Sequence, residues 1–190
     1  RGIGGTASAV RAGAPDRNGG RAVILARTAA LYILRQVNRI LQRRGTMPQD
    51  KTFKGRCFCG AVELQVTGAP VAAGYCHCAS CREWSAGPVN AFTLWPPSAV
   101  SITRGVDHVG TYNKTERSYR KWCKRCGGHL LTEHPHWGLV DVYAAVLSNF
   151  SFEPRVHVNY AETVLHLHDG LPKQKDVPKE MGGSGELIPE

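Results

Sequence analysis

Cys76-His77-Cys78-Ala79-Ser80-Cys81-Arg82 sets three thiols within a single short loop. Thiols two and three residues apart converge readily on one ion at about 2.3 Å, whereas a relaxed disulfide needs Cβ vectors that near neighbours on a turn seldom offer. The stretch therefore reads as a metal-binding loop. On either side lie Gly55-Arg56-Cys57-Phe58-Cys59-Gly60 and Cys123-Lys124-Arg125-Cys126-Gly127, which bring the total to seven cysteines. An odd total leaves a free thiol under any all-disulfide scheme, but it divides into one closed four-thiolate site and one three-thiolate site with an open position. Joining the outer pairs puts Cys57, Cys59, Cys123 and Cys126 in the closed site and leaves Cys76, Cys78 and Cys81 as the triad. Spacing alone also permits a grouping in which Cys76 and Cys78 belong to the four-ligand site.

Around these motifs the chain alternates short runs rich in Val, Thr, Tyr and other aromatics with Gly, Pro and Asn, the pattern of many short strands. Strands are expected over Ala61–Thr67, Val89–Trp95, Val100–Thr103, His108–Asn113, His129–Thr132, Leu139–Tyr143 and Arg155–Tyr160. No long helix is expected among them. Each cysteine pair then falls on a turn, where Gly60 and Gly127 supply the positive φ that lets backbone N–H groups face sulfur.

The three cysteine motifs, in this order and followed by Phe152-Glu153-Pro154 to His157 and Asp169-Gly170-Leu171-Pro172, resemble the glutathione-dependent formaldehyde-activating enzyme family, whose domain also occurs in centromere protein V. The resemblance runs from about Thr52 to Pro172. It implies a mainly β zinc-binding fold of the β-tent kind, built from short antiparallel strands. It also implies two zinc ions, a structural one on Cys57, Cys59, Cys123 and Cys126 and a catalytic one on Cys76, Cys78 and Cys81. The activity it implies joins glutathione to formaldehyde, a reaction classed in reverse as carbon–sulfur lyase chemistry. The chain departs from the commoner pattern at Leu147-Ser148-Asn149, where an acidic pair is usual, and that departure bears on substrate identity.

Charge counting leads independently toward a thiol substrate. Zinc with four thiolates is formally −2 and saturated, a site for holding loops together; zinc with three is −1 and open, a weak electrophile suited to a soft fourth ligand. A site of this kind lowers a thiol's pKa from about 8.5 and presents it to an aldehyde as thiolate. Arg82, beside Cys81, is the first candidate for meeting the carboxylates of such a thiol or for neutralising the anionic site. Lys121, Lys124 and Arg125 are further candidates for that role, with a solvated face the favoured reading. His77 is expected to point away from the ion rather than serve as a fourth ligand, and His129, His134 and His136 to be surface or hydrogen-bonded residues, the alternative being a ligand or general base at the open zinc. Trp84 and Trp122 are expected to pack over a zinc loop. With every cysteine in a metal motif, no isolated redox cysteine remains for a sulfoxide reductase. A non-catalytic zinc module that binds protein or nucleic acid is the alternative from another class.

The chain has 190 residues, 24 basic and 15 acidic, for a net charge of +9. Residues 1–46 hold nine arginines against one aspartate, so residues 47–190, with fifteen basic and fourteen acidic residues, are nearly neutral and carry no electrostatic footprint for nucleic acid. Three regions are expected: a basic extension over 1–46, the zinc domain over 47–172 and an irregular tail over 173–190. Within the extension, Ala30, Ile33, Leu34, Val37, Ile40 and Leu41 recur at helical spacing opposite Arg35, Arg39 and Arg43, a basic amphipathic helix too short in its apolar run to span a bilayer. Because the domain pattern begins directly after Met47, residues 1–46 read as a cloning remnant or upstream sequence and the protein as cytoplasmic; a mitochondrial presequence is the other reading of an Arg-rich, acid-poor segment.

Overall fold

The structure is a computed structural model in which residues 51–189 are described. The expected N-terminal helix lies outside them. Among the described residues ten strands and one short helix are found, so the chain is mainly β. Strands β1 (Thr52–Arg56), β2 (Glu63–Thr67) and β5 (Val100–Arg104) form a three-stranded antiparallel sheet in the order β1-β2-β5. The second sheet has seven strands: β3 (Ala72–Cys76), β4 (Asn90–Trp95), β6 (Val109–Thr115), β7 (Ser118–Cys123), β8 (His129–His134), β9 (Leu139–Tyr143) and β10 (His157–Val158). Their order is β10-β3-β4-β9-β8-β7-β6, antiparallel throughout except for the parallel pair β10 and β3. Helix α1 (Ala79–Ser85) follows β3 directly.

Two cores lie on opposite faces of the large sheet, and alternation along its strands sorts residues between them. On one face Trp95, Leu131, Val140 and Val142 meet Phe53, Leu64 and Val66 of the small sheet, and Cys57 and Cys123 belong to the same cluster. Phe53, fully buried, packs edge-on against Phe150 with ring centroids 5.0 Å apart. On the other face Phe92, Leu94 and Val158 form a smaller cluster with Cys76, joined by Cys78, Cys81, Val177 and Met181. Each cysteine group thus has its own core.

All seven expected strands are present, with edges shifted by a few residues; β1, β3 and β7 are additional. Leu147-Ser148-Asn149, the departure noted above, lies along β1. Ser148 N–H donates to Lys54 O, Asn149 Oδ1 accepts from Lys54 N–H, and Leu147 enters the first core. Residues 173–189 contain isolated bridges and a 3-10 turn, and they are stitched to β10: Gln174 N–H donates to His157 O, and His157 N–H to Pro172 O. No helix among the described residues is long and apolar enough to cross a membrane.

Candidate functional site

Cys57 and Cys59 sit on the turn after β1, Cys123 ends β7, and Cys126 precedes β8. Their four sulfurs lie within 4.8 Å of one another. Zinc–sulfur bonds of about 2.3 Å in a tetrahedron set neighbouring sulfurs about 3.8 Å apart. The observed 3.6 Å from Cys57 to Cys59 and 4.0 Å from Cys59 to Cys123 fit that spacing. Gly60 and Gly127 adopt φ of 75° and 71°, and close by Val62 N–H donates to Cys57 Sγ at 3.2 Å and Gly128 N–H to Cys126 Sγ at 3.4 Å. Backbone donors of this kind stabilise thiolates.

Cys76, Cys78 and Cys81 form the second group, again with sulfurs within 4.8 Å. Cys76 closes β3; Cys78 caps α1, its sulfur accepting from Cys81 N–H at 3.4 Å; Cys76 and Cys78 sulfurs are 3.5 Å apart. Hydrogen bonds from Cys76 and Cys81 hold the Cys78 thiol far below its ordinary value, and the same contact pushes Cys76 up. Asn159 Nδ2 donates to Cys76 Sγ at 3.5 Å. The donor chemistry, three thiols drawn from one stretch of chain, suits zinc. Of the groupings that spacing allows, the fold brings together four sulfurs from 57, 59, 123 and 126 and three from 76, 78 and 81.

Arg82 touches the triad through its backbone: Nε donates to His77 O at 2.9 Å. The arginine that reaches sulfur is Arg120 of β7. Its Nη2 lies 4.0 Å from Cys81 Sγ and 3.1 Å from Ser80 Oγ, its guanidinium stacks over the Trp84 ring, and only 5% of the residue is exposed. Lys121 alternates to the opposite face, where it pairs with Glu133 at 3.1 Å; Lys124 and Arg125 are exposed. Trp84 stacks on His129 at 4.3 Å and, with Trp122, Tyr112 and Gly127, lines a groove of about 500 Å³ beside α1. His134 Nδ1 lies 3.3 Å from Arg117 O, and His136 packs on Trp137.

His77 is fully buried and both its ring nitrogens are engaged by groups other than cysteine, Nε2 by His157 Nδ1 and Nδ1 by the Thr163 hydroxyl, each at 2.8 Å. His157 Nε2 continues to Asp169 Oδ2 at 2.9 Å, and Lys173 Nζ reaches Asp169 Oδ1 at 2.5 Å. Burial, followed by the neighbouring charges of His157, Lys173 and Arg82, holds His77 down to about 4, a neutral ring. The loop between Cys76 and Cys78 is therefore anchored through a buried chain of side chains to the C-terminal segment.

Arg120, Thr132 and Asp141 stand in register across β7, β8 and β9, on the face that carries the triad. Thr132 Oγ1 and Tyr143 Oη are 2.7 Å apart, and Asp141 Oδ1 accepts from Thr93 N–H at 3.2 Å. Burial raises the Asp141 carboxyl to about 8 from 3.8, so the folded chain keeps a proton there that the unfolded chain releases. The stabilising contribution is complete below the unfolded value and is lost as pH rises from about 4 through about 8. Asp141→Asn is accordingly expected to raise the melting temperature at pH 8 and to leave it close to the parent's at pH 4. Equal shifts at the two pH values would refute a buried neutral acid. Asp141 had a signal in sequence, a lone acid inside the apolar run Leu139–Tyr143; Arg120, between Tyr119 and Lys121, had none.

The sequence profile described as glutathione-dependent formaldehyde-activating enzyme matches residues 52–162, more than half of the chain. A Schizosaccharomyces pombe protein described as an uncharacterized lyase is 32% identical over 78 residues, covering 41% of this chain and 55% of that protein. An Emericella nidulans protein, named provisionally as a glutathione-dependent formaldehyde-activating enzyme, is 29% identical over 112 residues, covering 56% of this chain and 55% of that protein. The chain thus spans about half the length of the curated relatives it matches. A crystal structure of a Rhodobacter sphaeroides protein superposes with a TM-score of 0.44 at 23% identity, over 52% of this chain and 90% of that one.

Proposed function

The chain belongs to the glutathione-dependent formaldehyde-activating enzyme family, and from that premise we propose that it is a zinc-dependent, carbon–sulfur lyase-like enzyme that joins a small thiol, glutathione first among them, to formaldehyde. The observation that carries this reading is the gathering of seven sulfurs into four and three, with the three beside a buried cation. Cys57, Cys59, Cys123 and Cys126 would hold the structural zinc, and Cys76, Cys78 and Cys81 the catalytic one. Zinc bound by the triad would supply one thing, ionisation of an incoming thiol at neutral pH.

The chain's own residues supply position. Cys78 holds the start of α1 by accepting from Cys81 N–H, Arg82 fixes the carbonyl between the first two cysteines, and the His77 chain anchors the loop from below. In the forward direction the thiolate sulfur bonds to the carbonyl carbon and the thiol's proton ends on the carbonyl oxygen. In reverse the hydroxyl proton leaves and the carbon–sulfur bond breaks. Formaldehyde needs little activation, so holding the two reactants together is the main catalytic contribution.

The test uses the full chain with cobalt in place of zinc. Glutathione titration is expected to change the sulfur-to-cobalt charge-transfer bands, Cys78→Ser to abolish that change, and the zinc form to accelerate formaldehyde consumption. A spectrum that stays flat at millimolar glutathione, with no acceleration, would replace this reading with a non-catalytic zinc module.

A further inference from the structure

Arg120 is 5% exposed, yet no carboxylate lies within ion-pair distance of it among the described residues. Burying a guanidinium without a counter-charge costs several kcal/mol, so buried arginines are ordinarily paired with acids. The structure gives Arg120 two hydrogen-bond partners, Ser80 Oγ and Cys81 Sγ, both through Nη2, and its Nε is buried with no partner. Its cross-strand neighbour is Thr132, and the nearest acid in the same row, Asp141, stands one strand further on. Two strand spacings of about 4.8 Å separate their backbones, and burial keeps the Asp141 carboxyl protonated through neutral pH. Arg120 and Asp141 form no ion pair. The group within reach that becomes anionic when a metal binds is the thiolate triad.

We propose that Arg120 is the counter-cation of the three-cysteine site, a positioning residue that makes a soft anionic fourth ligand, a thiolate, acceptable there. Three thiolates around a divalent ion carry a formal charge of −1, and a fourth raises it to −2. With Arg120 4.0 Å from Cys81 Sγ, the corresponding totals are 0 and −1. Entry of the thiolate then no longer builds a doubly negative centre in a half-buried place. The closed four-sulfur site needs no such cation because Cys59 is exposed and water screens it. Trp84 completes the arrangement: its ring lies against the guanidinium, keeping water from it while adding a cation–π contact. This inference rests on the thiol reading above for its second half and on the metal-ligand geometry alone for its first.

Arg120→Gln keeps a donor for Ser80 and removes the charge; Arg120→Lys keeps the charge and loses the planar fork. Both are prepared in the full chain, loaded with cobalt, and titrated first with a chelator and then, after reloading, with glutathione. The four-sulfur site serves as the internal standard. Arg120→Gln is expected to weaken cobalt binding at the three-cysteine site on the order of 10–100-fold, as loss of a group supporting metal ligands does, and to weaken glutathione binding by a similar factor. Arg120→Lys is expected to recover most of both, with the four-sulfur site unchanged throughout. In the Cys81→Ser background the Gln substitution should cost much less than in the parent, because the two residues act through one interaction. Affinities within two-fold of the parent, or equal weakening of both metal sites, would overturn the proposal. If the parent's own spectrum ignores glutathione, the thiol reading fails by itself, and the chelator titration still decides whether Arg120 is the counter-cation.

Discussion

Cys123→Ser is expected to leave no folded domain, whereas Cys78→Ser is expected to leave a folded chain that binds one metal ion instead of two. The four sulfurs join the turn after β1 to the turn between β7 and β8, so an ion among them ties the small sheet to the large one. Cys123 is fully buried in the core between those sheets. A structural zinc site contributes on the order of 10–16 kcal/mol of binding energy, comparable to the 5–15 kcal/mol that a whole domain has in reserve. The triad comes from one loop and the helix beginning in it, and losing its ion releases that loop while the first core stays intact. Metal analysis and circular dichroism on the three proteins decide the matter. A parent with a single metal ion, or a Cys123→Ser variant that melts within a few degrees of the parent, would sink the assignment of unequal roles.

Asp169→Asn is expected to destabilise the chain by about 3 kcal/mol, the low end of the cost of breaking a buried ion pair because Asp169 itself is partly exposed. Lys173, 2% exposed, would lose its pairing with the Asp169 carboxylate. Although burial opposes ionisation, hydrogen bonds from Lys173 and His157 hold the Asp169 carboxyl well below the usual carboxylate range. With its folded value depressed, its contribution is full above the unfolded value near 3.8 and fades as pH falls below it. His157 would also lose the acceptor that fixes its tautomer, and through it His77 would lose its orientation between Cys76 and Cys78. The three-cysteine metal should therefore dissociate more readily than the four-sulfur one in this variant. Melting at pH 7, with roughly a 6–12 °C drop expected for a domain of this size, and chelator competition at the two sites check both halves. An unchanged ratio of metal affinities would show that the buried chain does not support the triad.

The two candidate metal-binding clusters were legible in the sequence because the cysteines of each motif are neighbours along the chain, and spacing by itself brings their sulfurs close. The mainly β character was equally legible, since strands such as Leu139–Tyr143 and Asn90–Trp95 are rich in β-branched and aromatic residues. Where composition gave no such signal the strands went unseen: β3 is Ala-Ala-Gly-Tyr-Cys, with little to pack, and β7 carries Arg120 and Lys121 on opposite faces in place of an apolar alternation. Which cysteine pairs come together was a tertiary matter, for Cys59 and Cys123 are 64 positions apart and meet only because β1, β7 and β8 close around one core. Arg120 became a site residue for the same reason. A basic residue on a strand is surface by default, and only the pleat of β7, the seating of α1 over it and the registry with Thr132 and Asp141 bury its charge beside Cys81. Which atoms can bind a metal follows from local covalent reach and is readable along the chain; which charges stand beside them follows from distance through space and from burial, and only packing creates those.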